Sequence, residues 1–98
     1  MALTLHLKQG DIVLGTLKET DNDFPWRYCT FTPTDAFQSV KPLFDRAREQ
    51  VEAEEWEQFD KAYQQIEALG LRLVDPLSGD EIREFLLHIE GDSASFRY

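Results

Sequence analysis

Few residues in this sequence are of a type that does chemistry unaided: His6, His88, the single cysteine Cys29, and 19 carboxylates. His88-Ile89-Glu90 has the His-x-Glu spacing of a zinc deaminase, but that centre also takes a Pro-Cys-x-x-Cys pair, which one cysteine cannot supply. Asp21-Asn22-Asp23 opens like a calcium loop. An EF-hand starting at Asp21 needs Gly where Trp26 stands and Glu where Thr32 stands, so polar turn chemistry is the better reading. A catalytic thiol needs a base and an oxyanion hole. Cys29 instead lies among aromatic and β-branched residues, where cysteine acts as a small buried hydrophobe. Gly-x-Ser-x-Gly, Walker and dinucleotide motifs do not occur, and five scattered glycines build no phosphate cradle. No catalytic residue, metal ligand or cofactor is assigned on this basis, and a non-enzymatic role leads.

The bulk composition narrows the partners. With 98 residues the chain suits one domain, residues 1–98, with a single core. A net charge of −9 repels nucleic-acid phosphates and anionic lipid, and the basic residues are scattered rather than clustered. One cysteine permits no intrachain disulfide. The start, Met1 to His6, alternates without a basic region, unlike a secretory signal peptide. No apolar run approaches the roughly 20 residues of a membrane span. The expectation is a reduced, cytoplasmic protein.

The elements that must position any site follow from periodicity. Leu3, Leu5 and Leu7 alternate with polar residues, Gly10 supplies a turn, and Ile12 to Leu17 returns as a second strand. Glu19 to Asp23 reads as a polar turn, and Trp26 to Thr32 as a third strand. Thr34 is placed to cap a helix. From Asp35 to Leu69 the period becomes helical. Phe37, Val40, Phe44, Ala47 and Val51 form one stripe, and Trp56, Phe59, Tyr63 and Ile66 form another. The five-residue step from Val51 to Trp56 predicts two helices joined around Glu52 to Glu55, with one bent helix as the alternative. Pro42 either kinks the first helix or opens a fresh turn. Gly70 stops the second. Leu71 to Val74, Ile82 to Ile89, and a last strand with Ala94, Phe96 and Tyr98 inward complete the chain. The predicted fold is α+β: a mostly antiparallel sheet of five to six strands in βββ-αα-βββ order, with two central helices packed on one face.

Alternation then sorts side chains by face. Trp26 and Tyr28 oppose Cys29 and Phe31, and only one set can face the helices. His6 opposes Leu3, Leu5 and Leu7, and His88 opposes Phe85, Leu87 and Ile89. If Cys29 and Phe31 are core, the face away from the helices carries Trp26, Tyr28, His6, His88 and Arg97. Aromatic and arginine side chains concentrate at binding hot spots, so this face suits a protein partner or a second copy. An alternative uses His6 and His88 there to hold a small ligand or metal, or to catalyse. A third reading makes Glu52, Glu54, Glu55, Glu57 and Asp60 an acidic mimic that blocks a basic partner.

Asp23-Phe24-Pro25-Trp26, the helical Phe37-x-x-Val40-x-Pro42-Leu43-Phe44, and Leu87-His88-Ile89-x-Gly91 with Phe96-Arg97-Tyr98 resemble a family of small uncharacterised bacterial proteins. The resemblance covers nearly the whole chain. It implies one intact domain of bacterial cytosolic origin, and no activity, ligand or catalytic residue.

Overall fold

The computed structural model describes residues 3–98. Among these residues the order is β1 (Thr4–Gln9), β2 (Ile12–Asp23), β3 (Trp26–Pro33), a 3-10 segment (Asp35–Ser39), α1 (Lys41–Glu52), α2 (Trp56–Glu67), β4 (Leu71–Val74), β5 (Glu81–Ile82), β6 (Leu86–Glu90) and β7 (Ser93–Arg97). The strands form one antiparallel sheet of seven, ordered β5-β4-β1-β2-β3-β7-β6. The class is α+β, with the helices after the third strand. The strand number exceeds the five to six expected, because the run from Ile82 to Ile89 is broken and β5 is a separate two-residue strand.

The sheet cannot be flat. β5 and β6 are its two edges, which strand spacing alone would hold about 29 Å apart. Only Arg83, Glu84 and Phe85 join them, and that length of chain reaches no more than about 14 Å. The sheet therefore curls until its edges approach across a seam. Its concave side holds the core: Leu5, Leu7, Leu14, Leu17, Cys29, Phe31, Leu71, Leu73, Leu87, Ile89, Ala94 and Phe96, together with Phe37, Val40, Phe44, Ala47, Tyr63 and Ile66.

Two bulges adjust β2. Leu7 pairs with Gly15 and Lys8 with Val13, so Leu14 is an extra residue and both Leu14 and Gly15 turn inward. Gly15 has no room for more: a Cβ there would meet the Phe31 ring and the Thr32 carbonyl. Thr34 does not cap with its side chain. Its hydroxyl donates to the Val13 carbonyl at 2.6 Å, tying the 3-10 segment to the bulge. The stretch from Glu19 to Asp23, expected as a turn, is the end of β2, paired along Cys29 to Trp26 with a second bulge at Thr20. The turn itself is Phe24-Pro25, whose peptide bond is cis.

The helical region is two α-helices, as the step between the stripes predicts, preceded by the 3-10 segment. Pro42 lies in the first turn of α1 and opens it. Glu54, at φ 57, makes the joint before α2. The first stripe is buried from Phe37 to Ala47, with Phe31, Phe37 and Phe44 in successive ring contacts of 4.9 and 5.9 Å. The second is buried only at Tyr63 and Ile66; Phe59 is half-buried and Trp56 is 57% exposed. Tyr98 is likewise not inward. It follows β7, 67% exposed, with its ring stacked on Phe96 at 6.0 Å.

The β6 edge is closed by a side chain. The buried Tyr63 hydroxyl donates to the Phe85 carbonyl at 3.1 Å and accepts the Leu87 N–H at 2.8 Å. It thus stands in for one residue of a neighbouring strand, which is one way a sheet edge avoids pairing with another chain. Burial pushes the Tyr63 hydroxyl up to about 12, so it stays protonated and able to donate. No described helix is long and apolar enough to cross a membrane.

Candidate functional site

Cys29 and Phe31 are in the core, so alternation turns Trp26 and Tyr28 of β3 to the outer, convex face. Register then builds a row. Tyr28 lies opposite Ser95 of β7, and Ser95 opposite His88 of β6. Because Ser95 is small, the indole of Trp26 can lean across β7 and meet the His88 imidazole, ring centres 5.6 Å apart. The Arg97 guanidinium lies 5.8 Å from the Trp26 ring centre, at cation–π distance.

The other side of His88 meets a helix. Phe59 of α2 is 5.8 Å away, and Trp56, one turn earlier, is 6.5 Å from Phe59. Arg97, Trp26, His88, Phe59 and Trp56 therefore form a continuous strip from the sheet onto the start of α2. His88 is thus not clear of the helices, as face alternation alone suggests. It lies on the edge strand, and side chains of α2, Phe59 and Tyr63, reach that edge.

Carboxylates border the strip. Asp21 and Asp23 lie directly opposite Tyr28 and Trp26, and residues so paired share a face. Glu90 follows on β6. The Arg48 guanidinium of α1 is held between Glu52 at 2.5 Å and Glu90 at 2.7 Å. A shallow depression of about 120 Å³ lies among Tyr28, Arg48, His88 and Ser95. Burial, with the Arg48 charge adding to it, holds the His88 imidazole below its ordinary pKa.

Four of the five residues singled out from the sequence, Trp26, Tyr28, His88 and Arg97, come together on β3, β7 and β6. His6 does not join them. It lies on β1, in a row with Thr16 and Val74, four strand positions from β6. The two imidazoles share no site, and among the described residues no three His, Cys, Asp or Glu side chains are grouped to hold a metal ion. Cys29 is buried, and burial, reinforced by Glu19 and opposed by Arg27, pushes its thiol up to about 11. At neutral pH it is not a thiolate nucleophile.

Sequence reasoning missed Trp56, Phe59 and Arg48 as parts of this face. Both aromatics share the helical spacing of Tyr63 and Ile66, and nothing in that spacing shows that α2 begins beyond the sheet edge. Compared with protein-family models, curated proteins and solved structures, the chain matches none. The case for function rests on the geometry of this molecule.

Proposed function

We propose that this protein is a non-enzymatic interaction module that binds a basic, partly apolar segment of a protein partner on the outer face of β3, β7 and β6. The observation that carries the reading is the strip of Trp26, His88, Phe59 and Trp56, half-buried until it reaches the exposed Trp56, with the exposed Tyr28 beside it and carboxylates along its border. An exposed aromatic surface suits apolar and cationic side chains alike. Asp21 and Asp23 add the charge that a basic segment complements, and a net charge of −9 speeds its approach. The same charge opposes a second copy, since two such faces would oppose carboxylate to carboxylate. The acidic-mimic reading is absorbed here in part. Glu55 and Glu57 flank Trp56 and supply charge beside the aromatic surface rather than a row of phosphate-like spacings.

Selection of random peptides on the immobilised protein tests this. Recovered peptides should be rich in Lys or Arg beside apolar residues, and should fail to bind folded Trp26→Ala protein. Peptides without a basic bias, or equal binding to the variant, would overturn the proposal.

A further inference from the structure

The seam between the two sheet edges is not filled. A cavity of about 410 Å³ opens there, at the C-terminal end of α2, lined by Tyr63, Ile66, Glu67, Leu71, Glu84 and Phe85 among others. That volume lies within the range of small-ligand sites, and the outer depression beside His88 is far smaller.

The walls have a definite chemistry. Tyr63, Ile66, Leu71 and Phe85 give an apolar and aromatic surface. Glu67 and Glu84 give two carboxylates, and neither is in an ion pair among the described residues. Arg83 is the one cation in the lining, and its guanidinium is turned to Glu81 at 3.0 Å. The cavity also meets the end of α2, where a helix carries partial negative charge. No basic residue in the last turn of α2 offsets that charge. Carboxylates, a helix C-terminus and aromatic faces all favour the same kind of guest.

We propose that the seam cavity is a binding site for a small organic cation, an ammonium or guanidinium group carried on an apolar stem. The stem packs on Ile66, Leu71 and Phe85, and the cationic head sits between Glu67 and Glu84. The cation comes either from a free amine or from a Lys or Arg side chain presented by another protein. This site is separate from the outer strip and does not depend on the reading of that strip.

The test is amide NMR of the whole chain with n-hexylamine, with hexanoate and 1-hexanol as stem-matched controls. A short peptide with one central lysine forms a second arm. Hexylammonium should move the amides of Gly70, Leu71, Glu84 and Phe85 and leave the two tryptophan indole signals in place. Hexanoate should not bind. A Glu67→Gln/Glu84→Gln variant should bind hexylammonium at least tenfold more weakly, and each single change should fall between. Both residues are exposed, so the variants should keep the wild-type fold. If the peptide alone binds at the seam, the cation is a partner's side chain; if hexylamine alone binds, it is a free amine. Equal binding of hexylamine and hexanol, shifts confined to the outer strip, no binding in either arm, or unweakened binding by the folded double variant would each overturn the site.

Discussion

The outer strip and the seam cavity both border α2, yet they are opposite kinds of surface. At its start α2 lays the half-buried Phe59 against His88 of β6 and exposes Trp56, extending the convex aromatic face of the sheet. At its end it faces the unpaired gap between β6 and β5, where the linking residues span a recess rather than covering it. The strip is broad and shallow, suited to a macromolecular segment. The seam is a deeper, partly open recess, suited to a side chain or small molecule. Tyr63 separates them: its ring stacks on Phe59 at 5.7 Å, and its hydroxyl holds the β6 backbone beside the cavity. One helix thus makes two sites because the sheet it borders curls without closing.

Substitutions at Tyr63 should show the largest effects and test whether the two regions share that support. Tyr63→Ala removes a buried ring and should cost about 3–5 kcal/mol in urea unfolding, disturbing both regions. Tyr63→Phe keeps the ring but leaves the Leu87 N–H and Phe85 carbonyl without their partner, at a cost of about 1–3 kcal/mol. Its effect on spectra should be confined to the seam side. Equal stability of the Phe variant and wild type would show that the hydroxyl bridge does not hold the edge.

The strip and the core should also separate stability from binding. Trp26→Ala should lower stability by about 1 kcal/mol, yet weaken binding of a selected basic peptide at least tenfold. A large stability loss with unchanged affinity would make Trp26 a packing residue only. The smallest effects are electrostatic. His88 is held below the ordinary histidine value of about 6.5, so the folded protein binds its proton less readily than the unfolded chain. The resulting stability is present above that value and is lost as pH falls through the lower folded one. Urea midpoints at pH 8 and pH 5 should show this, and His88→Gln should reduce the difference. Arg48→Gln removes a nearby cation and should move the His88 titration upward, read from its ring proton signals.

Much of the frame was legible in the sequence. Alternation in β1, β3 and β7 places the inner and outer sets, and the five-residue step after Val51 marks the joint between helices. The departures have local causes. Asp21-Asn22-Asp23 is strand because it pairs with Tyr28 to Trp26, and cross-strand pairing outweighs poor intrinsic preference. Phe37 and Val40 precede α1 rather than belonging to it, since Pro42 cannot sit inside a helix without clashing with the carbonyl four residues back. β5 is two residues long and carries no period. Three residues of the strip, Trp26, His88 and Arg97, and Tyr28 beside it follow from alternation alone, but their closeness depends on strand order, which joins β3 to β6 through β7. The same order removes His6. The seam cavity has no motif at all, because its walls come from a helix end, a strand start and a linker brought together by curl.

The outer strip is the face proposed to receive the partner segment. Both tryptophans of the chain, Trp26 and Trp56, lie in that strip, so the indole N–H signals report on it alone. NMR titration with a selected basic peptide should move both indole signals and the amides around His88 and Ser95. Stationary indole signals with shifts confined to the seam would rule out the strip as the binding face.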